Sequence, residues 1–432
     1  MRTARALGVL ALAAVATTLM PSEVSAAPVP DVLAVNGTMN LGRLGTSVSA
    51  DKTDFAGLYV DEAHHTIDVY TASGNAVAKA RTALAAQHHI SPGAAPGSDS
   101  RLSVTTSYAV KYVPVKYSQR TLESAANVVA ASRTIEGVRW TVAGTDPRTN
   151  KTLIGVPTVT ADLRARVKAK YGDLVELQAT GKVTTEMKVD HYASPRAAQA
   201  AARVSPRDVS SVNRLLDSNP WYGGDRIVRI DGTDVIQCTA GIAYSDPYYA
   251  PTQMLYAGHC APKGYGWKQG YYDGALHYSS SNSGHFGITG WQTFNGGYTD
   301  AALITGDQGA QYAWDIYVKG ATFWQQSGYA YNQAGNGFCS DGSFTQENCH
   351  GVIQSCGNRI QYSDGSVAYD MCIGQSNDGS RMSQNGDSGG PIISGSPMVA
   401  RGIISGGNNG NTIFFTPWEA VNRLVGGHPC PC

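Results

Sequence analysis

Gly386-Asp387-Ser388-Gly389-Gly390-Pro391 is the stretch on which the reading of this chain turns. A serine hydroxyl attacks a carbonyl only when it is accessible, paired with a base and set beside backbone donors. Gly386 has no Cβ, so its N–H can come close to a substrate oxygen. The N–H groups of Gly386 and Ser388 together would make an oxyanion hole, where removing one donor typically costs about 3–4 kcal/mol. Asp387 would hold the loop by a buried ion pair or by hydrogen bonds. Gly/Ser/Asp surface turns are common, so the stretch takes its meaning from what stands elsewhere in the chain.

Upstream, Leu255-Tyr256-Ala257-Gly258-His259-Cys260 sets a histidine beside a cysteine. Between the two, Tyr298-Thr299-Asp300-Ala301-Ala302-Leu303-Ile304 opens an apolar run with an aspartate. Downstream comes Gly402-Ile403-Ile404-Ser405-Gly406-Gly407. The order His, Asp, Ser is one of three unrelated chain orders that build the same triad. With these four motifs, spread from about Cys238 to Gly407, the chain resembles the secreted actinobacterial serine proteases of the streptogrisin and α-lytic protease group, which are chymotrypsin-like.

The resemblance implies His259 as base, Asp300 as its orienter and Ser388 as nucleophile. It implies that Ser405 helps to hold Asp300, and that Ser405, Gly406 and Gly407 pair with the substrate backbone and line its pocket. It also implies an all-β fold of two six-stranded antiparallel barrels with the triad in the cleft between them. Spacing alone shows only many short apolar runs between Gly/Asn/Asp/Ser turns, the pattern of an all-β domain. Gly284–Gly290 and Trp314–Val318 are such runs, and Pro417 to Leu424 reads as a closing amphipathic helix. A trypsin-like pocket needs an acid six residues before the nucleophile. Met382 stands there, and the nearest acid is Asp378. With Gly406 and Gly407 leaving the wall open, an apolar or aromatic side chain before the scissile bond is the expectation. Tyr256 departs from the family's usual threonine, and Met382-Ser383-Gln384 lacks the cysteine usual before the nucleophile loop.

The chain opens with a secretory signal: Arg2 and Arg5, an apolar stretch from Leu7 to Met20, and Val24-Ser25-Ala26 as a cleavage site. Cleavage after Ala26 predicts a secreted protein with no membrane attachment once the signal is gone. Overall charge is zero, but the halves differ. Ala27–Pro220 has 22 Lys/Arg against 17 Asp/Glu, a net of +5, and Trp221–Cys432 has 9 against 15, a net of −6. Neither half is charged enough for nucleic acid, and opposite signs favour association of the halves.

All eight cysteines lie in the second half. An even count in an exported chain reads as disulfides, with 105 possible connectivities. The resemblance implies Cys238–Cys260 and Cys339–Cys349, leaving Cys356–Cys372. Cys430 and Cys432 have no counterpart in the family.

Three segments follow: signal 1–26, a pro-region at 27–220, and a protease domain at 221–432. In the pro-region, Phe55–Asp61 and His65–Thr71 read as strands and Ser91–Ser98 as a flexible link. A helix from about Ser118 places Leu122, Ala125, Val128 and Val129 on one face, and another runs from Thr160 to Gly172. That makes a small α+β unit, looser in its likeness to the α-lytic pro-region; the other reading of this half is an independent binding domain fused upstream. Composition changes near Asn219-Pro220-Trp221-Tyr222-Gly223-Gly224-Asp225, where the boundary is drawn. No metal motif and no cofactor motif occurs. The expected product is a secreted, monomeric serine endopeptidase made as a zymogen, acting on proteins or peptides with its own pro-region as partner. The alternatives are a catalytically silent binding protein on the protease fold and an esterase-like hydrolase with the same triad.

Overall fold

Before about residue 180 strands alternate with helices, and afterwards the chain is almost wholly strands. The computed structural model describes residues 31–36, 41–87, 105–192, 194, 197, 202–204, 213–245, 251–395 and 398–429. All belong to one compact unit, Asp31–Cys432. The signal segment, the Ser91–Ser98 link, Cys430 and Cys432 lie outside the described residues.

The first layer is a four-stranded sheet in the order Asp31–Asn36, Thr105–Pro114, Thr66–Thr71, Phe55–Asp61. Alternation along Thr66–Thr71 turns Ile67 and Val69 inward, as a period of two demands. Helices Gly42–Ala50 and Ala76–Gln87 cover this core with Leu44, Val48, Ala80 and Leu84.

Ser118 caps the next helix, Gln119–Ala131, accepting from the Thr121 N–H at 3.3 Å. Its buried stripe is Leu122, Ala126 and Val129, an i, i+4, i+7 face. Val128, expected inside, is 62% exposed because the stripe is rotated by one position. The helix Ala161–Tyr171 starts at Thr160, which accepts from the Leu163 N–H, and stops at Gly172 in positive φ.

Strands Val142–Asp146, Lys151–Val156 and Val175–Ala179 do not form a separate sheet. Val142 and Ala143 pair with Ile360 and Arg359 in the long strand Gln346–Gln361. The N-terminal α+β part therefore shares a sheet with the second half.

That half is all-β and has the chymotrypsin-like double-barrel architecture. One barrel is closed: Gly337–Gly342, Pro391–Ser394, Val399–Gly407, Thr412–Pro417, Val367–Ser376 and Gln346–Gln361, which returns to Gly337–Gly342. Phe338, Ile353, Ile392, Ile404, Ile413 and Phe415 fill it. The other is a curled sheet running from Asp234–Thr239 through Arg226–Asp231, Gly266–Tyr272, His285–Thr293, Ala301–Thr305 and Gln253–Tyr256 to Ile242–Tyr244. Trp221, Ile227, Trp267, Phe286 and Ile304 pack inside the curl. The helix Trp418–Val425 closes the chain with Trp418, Ala420 and Val421 buried. Disulfides join Cys238 to Cys260, Cys339 to Cys349 and Cys356 to Cys372.

The boundary drawn near residue 220 falls inside packed structure. Arg214 and Asp341 form a buried ion pair, with guanidinium-to-carboxylate distances of 3.1 Å. Asp217 accepts from the Tyr317 hydroxyl at 2.9 Å, and its carbonyl accepts from Ser279 Oγ at 2.5 Å. Residues just before Trp221 are thus part of the second half's interior. Among the described residues no helix is long and apolar enough to cross a membrane.

Candidate active site

His259 sits on a single 3-10 turn, Gly258–Cys260, that leaves the strand Gln253–Tyr256. The turn is pinned from both sides. Cys260 is bonded to Cys238, and a Cβ at Gly258 would come within 2.2 Å of the Thr293 carbonyl oxygen. Only glycine lets the backbone lie this close. Asp300 precedes the buried strand Ala301–Thr305, whose apolar residues draw the carboxylate in with them.

These elements bring the three expected groups into line. His259 Nδ1 lies 2.6 Å from Asp300 Oδ2, and the His259 N–H donates to Asp300 Oδ1 at 2.9 Å. On its other side, His259 Nε2 is 2.7 Å from Ser388 Oγ. Asp300 is fully buried, so it needs every partner it has. Ser405 Oγ donates to its Oδ2, and Thr416 Oγ1 donates to its backbone carbonyl at 2.6 Å. Tyr362, which sequence reasoning did not single out, touches Ser405 Oγ through its hydroxyl at 2.5 Å. Burial pushes the Tyr362 phenol well up, so it stays a neutral hydroxyl beside the carboxylate.

Tyr256 does not reach Asp300 by a hydrogen bond. Its hydroxyl lies 2.6 Å from Thr289 Oγ1 and accepts from Trp267 Nε1 at 3.2 Å, inside the curled sheet. Burial raises its phenol to about 12. The larger side chain is absorbed by the core of that sheet.

The loop before Ser388 is built around Asp387. Its carboxylate accepts from the N–H groups of Phe344, Thr345 and Gln384 at 2.8, 3.2 and 2.9 Å, and from Thr345 Oγ1. Asp387 therefore holds the loop by hydrogen bonds. Gly386 has φ +102°, and a Cβ there would meet the Phe344 ring at 2.1 Å.

The cleft is occupied by the chain itself. Thr184 and Thr185 pair antiparallel with Gly407 and Gly406. The next carbonyl, that of Glu186, accepts from the N–H of Gly386 and, at 3.4 Å, from the N–H of Ser388. The Glu186 side chain lies against Gly407, where a Cβ would come within 2.4 Å of its Oε1 and 3.2 Å of Ser383 Oγ. Ser388 and Glu186 are both fully buried. Among the described residues neither carboxyl oxygen of Glu186 has a hydrogen-bond partner. Burial raises this carboxyl to about 8; the Ser383 hydroxyl favours the charged form without completing a hydrogen bond, Asp387 opposes it, and Arg381 favours it weakly.

The pocket corrects one expectation. Met382 points into the closed barrel with Phe338, Ile404 and Phe415, and the residue at the pocket is Ser383. Counting back from the nucleophile lands one residue off. Gly406 and Gly407 lie along the occupied groove, and Ser405 sits behind Asp300. Glu186 has no local signature in Val183-Thr184-Thr185-Glu186; only its distant partners mark it. Asp378 is bound to Ser376 and Ser380 at the surface, away from the pocket.

As to metals, Cys339, Glu347 and Cys349 cluster, but both sulfurs are spent in a disulfide.

Solved structures similar to the chain are chymotrypsin-like serine proteases. A Cellulomonas bogoriensis chymotrypsin is 22% identical with a TM-score of 0.37, over 49% of this chain and 98% of that one. A Nocardiopsis protease is 23% identical with a TM-score of 0.38, over 48% and 98%. Thermobifida fusca protease A is 20% identical with a TM-score of 0.38, over 48% and 97%. No protein-family model matches the chain, and no curated protein does.

Proposed function

We propose that the chain is a secreted serine endopeptidase made as a zymogen, with His259, Asp300 and Ser388 as its triad. The observation that carries this reading is one constellation. Ser388 Oγ lies 2.7 Å from a histidine held by a buried carboxylate, and the N–H groups of Gly386 and Ser388 converge on a single peptide carbonyl. Such donors aimed at a carbonyl oxygen stabilise the charge that develops there on attack.

His259 takes the Ser388 proton as Oγ attacks, then gives it to the leaving amine. Asp300 sets the imidazole tautomer and stabilises its charged form without accepting the proton. Ser405, backed by Tyr362, keeps Asp300 in place. The apolar or aromatic preference is not carried forward, because the pocket accommodates a glutamate.

The N-terminal part acts in cis as inhibitor and folding aid. Its strand fills the cleft, and its sheet extends the closed barrel. Arg139 donates to the carbonyls of Tyr362 and Ser363, and Glu62 accepts from Asn336 Nδ2 at 3.3 Å. Such a preformed surface lowers the loop-closure cost of a barrel that depends on non-local pairings.

The test is casein hydrolysis by secreted wild type and Ser388→Ala. The wild type should hydrolyse it and the variant should not, with unchanged circular dichroism. Substantial turnover by Ser388→Ala would end the reading.

A further inference from the structure

The segment 183–191 passes through the cleft in the manner of a substrate, and it continues on both sides of the reacting position. Before Glu186, Thr184 and Thr185 pair with the strand Val399–Gly407, and Val183 is buried with Tyr362 and Phe414. After it, Met187 and Val189 pack against the core of the curled sheet. Lys188–His191 then pairs antiparallel with Asp234–Gln237. The peptide group between Glu186 and Met187 is thereby held from both barrels at once, with its carbonyl oxygen in the oxyanion hole.

We propose that Glu186–Met187 is the bond this protein cuts in itself, and that the pocket selects a side chain of the glutamate and glutamine shape. The proposal rests on the endopeptidase reading above.

The step balances with water as the only co-reactant. Ser388 Oγ attacks the Glu186 carbonyl carbon while His259 takes the hydroxyl proton. The bond to Met187 N breaks, and His259 gives that nitrogen the proton. Water then attacks the Glu186 ester, His259 takes its proton, and Ser388 recovers a hydrogen as its Oγ leaves. The products are a Glu186 carboxylate and a free Met187 amine.

Two features separate this cut from one near residue 220. No described contact puts residues 213–220 in the cleft, whereas Arg214 and Asp217 are built into the catalytic half. Losing Arg214 would strand the buried Asp341 without its cation. After a cut at Glu186, by contrast, the strand Lys188–His191 still anchors the new amino terminus. Residues 187–220 thus stay with the enzyme.

The pocket selects by shape and polarity. Gly407 leaves room on one side for the Glu186 carboxyl, and the Ser383 hydroxyl stands beside it. Among the described residues no basic side chain pairs with it. A lysine there would be a buried, unpaired charge.

The experiment secretes the full chain as wild type, Ser388→Ala, Glu186→Gln and Glu186→Lys, and reads termini by intact-mass and peptide mass spectrometry. Wild type and Glu186→Gln should yield a piece ending at residue 186 and another beginning at Met187. Ser388→Ala and Glu186→Lys should lack that cut, and adding a trace of wild type should cut Ser388→Ala at the same bond. Purified wild type should also cleave Val-Thr-Thr-Gln p-nitroanilide, whose side chain is neutral at every pH, at least tenfold better in kcat/KM than the Phe analogue. A wild type that hydrolyses casein but begins near Trp221, or prefers Phe, overturns this proposal alone. A wild type with no casein hydrolysis overturns the endopeptidase reading itself.

Discussion

The occupied cleft should loosen as pH rises, and the size of the effect follows from one carboxyl. Glu186 has an ordinary value of 4.5 and is raised to about 8 where it lies buried beside Ser383. The cleft thus holds the protonated acid, while a released segment loses its proton near 4.5. Between those values the released state binds fewer protons, so opening becomes easier as pH rises. Docking is strongest below about 4.5, weakens through the window, and levels off above about 8. The full span corresponds to on the order of 5 kcal/mol, at about 1.4 kcal/mol per pH unit. Glutamine at this position is neutral throughout and removes the slope.

The assay compares Ser388→Ala with Ser388→Ala/Glu186→Gln, both of which stay uncut. Hydrogen exchange is followed at the Gly386 and Ser388 amides, which are tied to the Glu186 carbonyl. Comparing the two proteins at each pH cancels the intrinsic pH dependence of exchange. Protection should fall steeply between about pH 5 and pH 8 in the glutamate protein relative to the glutamine one. Equal pH dependence in the two proteins would refute the reasoning, since the buried carboxyl would then not govern the docking.

Asp300→Asn should leave the fold intact and lower kcat by about 10⁴-fold, because the amide supports the wrong imidazole tautomer; steady-state kinetics on a peptide ester would show it. Gly386→Ala should lose both activity and several degrees of Tm, since its Cβ would collide with Phe344 at 2.1 Å and its φ of +102° disfavours alanine. Tyr256→Phe should lower stability by only about 1 kcal/mol in urea unfolding, since Trp267 Nε1 and Thr289 Oγ1 lose the Tyr256 hydroxyl but keep each other at 3.3 Å, with kcat within a factor of about two. A chain starting at Met187 should refold slowly alone and faster when the separate 27–186 part is added, measured as regained peptide hydrolysis.

How much of this was legible in the sequence depends on how local each signal is. His259, Asp300 and Ser388 each sit in a short run whose glycines or apolar neighbours are needed for the geometry around them. Gly258 and Gly386 are such positions, where a Cβ would collide. The helix caps at Ser118 and Thr160 are local in the same way. The occupant of the cleft is not, because Glu186 is defined by Ser383, Gly386 and Gly407, some two hundred residues further on. Nor is the pairing of Val142 and Ala143 with the closed barrel, which makes one sheet of two apparent domains. The buried pair of Arg214 and Asp341 is likewise non-local, joining a residue before Trp221 to the strand Gly337–Gly342. Met382 shows the narrowest margin: an offset of one residue separates a core side chain from one at the pocket.

The most direct measurement of the central claim is covalent labelling of the self-processed protein with a fluorophosphonate, the adduct being located by peptide mass spectrometry. The account predicts one adduct per chain, on Ser388, absent from His259→Ala and from Ser388→Ala. An adduct on another residue, or a protein that hydrolyses casein at full rate while Ser388 stays unlabelled, would contradict it.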